Sequence, residues 1–378
     1  MTIPPAPAPL TYHRLARLSL SHRWWRPVTG TLFVAVGWVL LLGLLDLSLS
    51  GLGALKGYPE GPDGWVEFGP VTGTAVDLLL IATAIPVVLL AVRWIGRRPA
   101  GTASSVTGRL RWRLLGSCVL LALPVLAVSA CVLLLVPGVS EPPSRWAGFD
   151  VFLPALAMLV VLVPLQAAAE EYVFRGWLLQ AAGAFFRSPW IAVLPQAVLF
   201  AAAHGWGTAW GFADLTVYGV LAGWLTVRTG GLEAAIGLHA VNNLLAFGLS
   251  AAVVDGLKSD ETAADATWQI VAVDLAGAAV YALAVLWLVR RRPLARTAAA
   301  PVPAPPDAPW PPVPFPGATL GFPNAATGFP GFAAGREPAG YLAAPAAPVP
   351  YAPSAPHPYA PGGQADGPGP LEENGHGG

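Results

Sequence analysis

Residues 151–176 read VFLPALAMLVVLVPLQAAAEEYVFRG. The stretch begins as a run suited to lipid and then places Glu170, Glu171 and Arg175 close together. An ionisable group at mid-bilayer costs roughly 2.5–3.5 kcal/mol on insertion scales, so charges inside a spanning helix need a chemical reason. If the helix ends near Ala169, the acids sit at a membrane surface. If it continues to about Gln180, they lie near the midplane.

The composition decides that lipid is the surrounding. Of 378 residues, 55% are hydrophobic and 11% charged, with mean hydropathy +0.58. A soluble domain carries about 25% charged residues. A formal net charge of zero argues against nucleic acid as a partner. The two cysteines, Cys118 and Cys131, share one apolar run and are expected as buried small hydrophobes, not as a disulfide or a metal knuckle.

A spanning helix needs roughly 20 apolar residues. The runs at 28–49, 71–92, 114–136, 231–254 and 268–289 meet this, and shorter or interrupted runs start at Val151, Trp190 and Phe212. An all-α polytopic membrane protein of about eight helices is expected, in the plasma membrane and in contact with the lipid bilayer. Its first run is expected to be a retained anchor, since no clear small-residue cleavage site follows it. With a cytoplasmic N-terminus and alternating helices, 18 of the 21 Lys and Arg fall inside, and only Lys56, Arg145 and Lys258 fall outside. Both termini are therefore expected in the cytoplasm.

This divides the chain into a basic N-terminus (1–27), three helices (28–149), a later membrane domain (150–293) and a Pro/Ala/Gly-rich tail (294–378). The tail's composition cannot bury enough surface to offset its ordering entropy, so disorder is expected there. A proline-binding partner is its functional reading, and a dispensable tail the plainer one.

Most intramembrane polar groups have ordinary explanations. Asp46, Asp77, Asp214 and Asp274 lie near outer helix ends, and Glu233 lies in a first turn where the helix dipole favours a carboxylate. What remains is Glu170, Glu171, Arg175, His204, His239, Asn242 and Asn243. Glu171 and Arg175 are i and i+4, a spacing that stacks an ion pair on one face. Glu170 is rotated about 100° away and stays free to point elsewhere. His239 and Asn243 share the i, i+4 spacing, as do Phe200 and His204, so that Phe200 shields the imidazole. At about 1.5 Å per residue, His204 lies roughly 22 Å from an inner edge near Pro189, and His239 about 13 Å from Gly230. Convergence with Glu170 then requires the long, partly irregular fourth helix.

EEYVFR at 170–175, FAAAH at 200–204 and HAVNN at 239–243 resemble the EExxxR, FxxxH and HxxxN motifs of the CPBP family of membrane proteases, also called the Abi or CAAX-protease and bacteriocin-processing family. The resemblance covers roughly residues 154–250. It implies an intramembrane glutamic endopeptidase acting on a membrane-associated protein or peptide, CaaX-like or a leader peptide. It further implies Glu170 as general base, with Glu171 and Arg175 supporting it. His204 would hold the water or the oxyanion, and His239 with Asn243 would complete the site. The chemistry is sound in general terms, because a carboxylate out of water can take a proton from an attacking water while nearby donors stabilise the oxyanion.

The family was formerly classed as metalloendopeptidases, so zinc on Glu170, His204 and His239 is the alternative to a metal-free site. No HExxH pair lies on one helix, and an asparagine suits hydrogen bonding better than zinc. Two rival functions are a catalytically silent scaffold of the same fold and a proton-coupled transporter. The latter would carry an internal repeat, and none is seen.

Overall fold

Apolar runs of this length have one stable outlet, a helix that satisfies its own backbone and turns its side chains to lipid. The computed structural model describes residues 8–61, 64–136, 145–258 and 262–301. They fall within one unit, Met1–Ala308; a second unit, Pro309–Gly378, lies outside them.

A short strand β1 (Leu10–Thr11) and a 3-10 turn Tyr12–Leu18 lead into α1 (Trp25–Leu55). Then come α2 (Pro70–Ala82) and α3 (Ala84–Leu90), the latter extended by a π-helical turn Ala91–Ile95. After a 3-10 turn Ala100–Ala103 comes α4 (Trp112–Leu133), followed by α5 (Phe149–Glu171). A π-helical segment, Tyr172–Leu178, joins α5 to α6 (Leu179–Phe185). The remaining helices are α7 (Pro189–Ala203), α8 (Ala209–Thr229), α9 (Glu233–Ala251) and α10 (Trp268–Arg291). Strand β2 (Thr297–Ala298) pairs antiparallel with β1.

Six rods are long and apolar enough to cross a membrane: Trp25–Leu55, Pro70–Ile95, Trp112–Leu133, Phe149–Phe185, Glu233–Ala251 and Trp268–Arg291. With α7, of 15 residues, and α8, the described residues form the eight rods expected from the apolar runs. Phe149–Phe185 is the long, irregular fourth rod. It carries Pro154 and Pro164 before the π-helical segment, and such prolines are tolerated where neighbouring helices re-satisfy the backbone.

The side chains confirm the solvent. Within α1 only Pro27, Gly30, Val34 and Gly53 are buried, so most of this apolar helix faces outward. Exposed tryptophans collect at the two ends of the rods. Trp24, Trp25, Trp94, Trp112 and Trp190 mark one end, and Trp65, Trp146, Trp206, Trp210 and Trp268 the other. These are the two interfacial belts of a spanning protein. Inside, α9 packs against α4 and α5, and α7 against α8. Gly219 permits the second contact, because a Cβ there would come within 2.8 Å of the Cα of Ala197.

Several expectations need correction. Cys118 is buried, but Cys131 is exposed on the lipid face of α4. Arg175 does not belong with the inner-surface arginines, because its side chain is fully buried beside Glu171. Glu233 does more than meet a helix dipole. Its carboxylate accepts from Arg111 N and Nε at 2.8 Å and from Nη2 at 2.6 Å, locking the start of α4 to the start of α9. The chain also remains structured past residue 294: β2 pairs with β1, and Arg111 Nη1 donates to the Ala295 carbonyl at 3.1 Å. Residues 302–378 of the expected disordered tail lie outside the described residues.

Candidate active site

Glu170 and Glu171 are the last two residues of α5, where the rod passes into its π-helical segment. An extra residue per turn re-aims side chains, and π-helical turns recur at functional sites. Glu171 and Arg175 form a fully buried ion pair, with Oε1 and Nη1 2.9 Å apart. The guanidinium lies over the Phe200 ring, Cζ 4.5 Å from its centroid, and Nη2 donates to the Gly219 carbonyl at 3.4 Å. Fixed from α7 and α8, this arginine offsets a charge that lipid would not tolerate.

Glu171 also holds a second residue. Its Oε1 lies 2.9 Å from His239 Nδ1, which fixes the ring on α9 and turns Nε2 the other way. That Nε2 lies 3.5 Å from Glu170 Oε2. From the far side, His204 Nε2 lies 3.9 Å from the same oxygen. His204 is the C-cap of α7, and its Nδ1 donates to the Phe200 carbonyl at 2.9 Å. Two imidazoles on different helices thus aim their Nε2 atoms at one carboxylate oxygen. Glu170 Oε2 is itself buried with no hydrogen-bond partner among the described residues.

Phe200 is the hub of the packing. Its ring meets Phe174 edge-on at 5.1 Å, stacks on Tyr218 at 5.7 Å, and touches the rings of His204 and His239 at 4.7 and 5.8 Å. Asn243, one turn beyond His239, lines with His204 and His239 a cleft between the helices, and it donates from Nδ2 to Gln166 Oε1 at 3.3 Å.

Gln166 was missed by sequence reasoning, although it stands four residues before Glu170 on the same face of α5. Its Nε2 donates to Glu170 Oε1 at 2.5 Å. A carboxylate only accepts, so it sets which end of this amide faces it, and the amide in turn sets Asn243. Tyr218 was missed as well. It stacks on Phe200 and lines the cleft, and its hydroxyl has no partner among the described residues. Asp214 and Asp274, read as interfacial, also line the cleft, which encloses about 350 Å³. Among the described residues no three of His, Cys, Asp and Glu are grouped to hold a metal ion.

Two imidazoles and an amide bordering a cleft inside a helical bundle, with a carboxylate oxygen buried just behind them, can bind a water and deprotonate it. Comparison with known proteins bears on the same segment. Residues 152–245 match the family model described as "Type II CAAX prenyl endopeptidase Rce1-like". The uncharacterized protein YyaK of Bacillus subtilis (strain 168) is 31% identical over 185 residues, which span 46% of this chain and 60% of YyaK. No solved structure matches.

Proposed function

We propose, from the match of residues 152–245 to the Rce1-like family model, that the protein is an intramembrane endopeptidase in which Glu170 activates the hydrolytic water. The observation that carries this is the unpartnered Glu170 Oε2, 3.5 and 3.9 Å from the Nε2 atoms of His239 and His204. Those separations exceed a direct hydrogen bond, and a water between the groups bridges them. The water oxygen attacks the scissile carbonyl carbon and its proton passes to Glu170 Oε2. Charge gathers on the carbonyl oxygen, where Asn243 has a second Nδ2 proton to offer, while His239, whose Nδ1 proton is committed to Glu171, presents Nε2 as an acceptor to the attacking water. When the tetrahedral carbon collapses, the C–N bond breaks and the proton held by Glu170 goes to the leaving amine. Glu171 and Arg175 act through His239, by orienting it.

The substrate class that fits is a membrane-anchored polypeptide, with a CaaX-like terminus or a leader peptide as its two forms. The test is a comparison of membrane peptides from cells carrying wild type or Glu170→Gln. Cleavage products present only with the wild type are expected; identical peptide sets would reject the endopeptidase reading. Chelator treatment of the purified protein is expected to leave cleavage unchanged. Loss of cleavage that zinc restores would reassign Glu170, His204 and His239 as metal ligands.

A further inference from the structure

Arginines crowd one end of the bundle, and few of them have a carboxylate to answer. Among the described residues Arg111 pairs with Glu233 and Arg175 with Glu171, and no other arginine forms an ion pair with Asp or Glu. Where an arginine is exposed, water solvates it. Arg98 is different. It is 3% exposed, and its Nη1 donates to Thr102 Oγ1 at 2.6 Å. That hydroxyl passes its own proton to the Pro99 carbonyl, also at 2.6 Å. A guanidinium is a fork of N–H donors, and no acceptor among the described residues takes the others. Burial pushes the Arg98 pKa from 12.5 down to about 10, so the group stays cationic at neutral pH. The backbone reaches this burial through Arg97, held at φ 50°, a left-handed conformation that is costly for a residue other than glycine. A buried charge with unspent donors calls for a counter-charge.

With Arg26, His22 and Trp177, Arg98 lines a hollow of about 10 Å³, room for one water-sized group. Separate pieces of chain meet there: the N-terminal turn, the start of α1, the loop after Ile95 and the π-helical segment that follows Glu171. Gly30 brings α1 onto that segment, because a Cβ there would overlap the Trp177 indole. Trp177 Nε1 donates in turn to Thr31 Oγ1 at 3.0 Å. No carboxylate lines the hollow. Burial, and then the charges of Arg17, Arg26 and Arg14, push the His22 pKa below its ordinary 6.5, against the pull of its hydrogen bond to the Ala16 carbonyl. The field is positive throughout. The exposed Trp24, Trp25 and Trp94 set this place at the level of lipid headgroups. Exposed Val28 and Leu32, on the first two turns of α1, offer a surface to acyl chains.

We propose that the hollow at Arg98 binds the phosphate of an anionic phospholipid, which clamps α1 to the rod carrying Glu170 and Glu171. One phosphate oxygen enters the hollow and accepts from Arg98, while the rest of the headgroup stays at the surface. Arg26, half-buried at the rim with one donor spent on Ser21 Oγ at 2.8 Å, closes on the phosphate from outside. Phosphatidylcholine carries the same phosphate but brings a cation into a field of arginines. Free phosphate matches the charge and lacks the chains that α1 would hold. The site stands apart from the residues assigned to hydrolysis, and it does not depend on the protein being a peptidase.

The test uses the purified full chain in detergent, with phosphatidylglycerol, phosphatidylcholine or inorganic phosphate as the probe. Native mass spectrometry counts the lipid retained, and thermal unfolding reads its effect. A single phosphatidylglycerol per chain is expected to persist and to raise the melting temperature, whereas phosphatidylcholine and inorganic phosphate do neither. Arg26→Gln and Arg98→Gln are each expected to weaken that retention roughly five- to tenfold. Arg113→Gln, at an exposed arginine of the same end, is expected to leave it unchanged. Equal weakening by all three variants would reduce the binding to a diffuse positive surface and overturn the proposal, as would undiminished retention in Arg26→Gln. Stabilisation by inorganic phosphate to the same extent as by lipid overturns the lipid assignment in favour of a free anion. If Arg98→Gln does not fold, the contrast between Arg26→Gln and Arg113→Gln decides alone, because both positions are accessible and neither is in the core.

Discussion

Adjacent carboxylates with unlike surroundings carry separate consequences for mutation. Each keeps one buried oxygen unpartnered among the described residues, but Glu171 gives its other oxygen to Arg175 and His239, whereas Glu170 gives its other oxygen to Gln166 and turns the unpartnered one toward the Nε2 atoms of His239 and His204. Glu170→Gln retains volume and removes basicity, so turnover is expected to fall at least a thousandfold with the melting temperature unchanged; peptide hydrolysis and thermal unfolding in detergent measure both. Glu171→Gln leaves Arg175 unpaired in a low-dielectric site, and breaking one partner of a buried pair costs about 3–5 kcal/mol. Its first symptom is therefore expected in yield and melting temperature. Gln166→Met removes both ends of the amide bridge at nearly constant volume. Free rotation of Glu170 then lowers kcat by ten- to a hundredfold at unchanged KM, and a change confined to KM would show that Gln166 does not orient the base. Glu170, Glu171 and Arg175 were legible in the sequence because charge inside an apolar run is conspicuous. Gln166 was not, because a neutral amide at the end of such a run looks like its boundary, and only the fold shows Asn243 approaching it from α9.

At the level of elements, helix type and order were readable because each apolar run is close to one membrane thickness. What escaped was everything held by contacts between distant segments. The N-terminal turn Tyr12–Leu18 carries His13, which looks like a solvated end residue. In the fold its Nε2 meets the Arg187 carbonyl at 3.1 Å and the residue is buried. Burial, and then the charge of Arg14, push its pKa below the ordinary 6.5, against the opposing pull of the Arg187 hydrogen bond. The folded turn thus binds fewer protons than the released one. Its stability is fully present above the unfolded pKa and is lost as pH falls below about 6.5. Backbone amides of residues 10–18 are expected to lose protection against hydrogen exchange between pH 7 and 5, after correction for intrinsic rates, while those of α6 keep theirs. Equal protection at both pH values would mean that His13 does not control this turn.

Across the whole molecule, the arginine-rich end of the bundle is tied together from pieces far apart in the chain. The β1–β2 pair, the Arg111–Glu233 bridge and the loop at 102–106 bring residues near 10, 105, 230 and 297 to one end. Composition placed the end of order near residue 294, since Pro, Ala and Gly dominate from there. It could not show that Thr297 and Ala298 meet Thr11 and Leu10, because a two-residue strand has no periodicity to detect. Truncation separates the two boundaries. A chain ending at Pro301 keeps β2, the Ala295 carbonyl that accepts from Arg111, and the Arg296 Nη2 bond to the Val289 carbonyl. It is expected to match the full chain in membrane insertion, melting temperature and cleavage. A chain ending at Pro293 loses all three at the point where α4 and α9 are tied together. Hydrogen bonds involving a charged group contribute about 1.5–3 kcal/mol each, discounted here because Arg111 is partly exposed, so a loss of ~1–3 kcal/mol in total is expected. Since α9 carries His239 and Asn243, cleavage should fall with stability in that shorter chain. Equal melting temperatures for the two truncations would show that the strand pair is ornamental and that this end of the bundle holds without it.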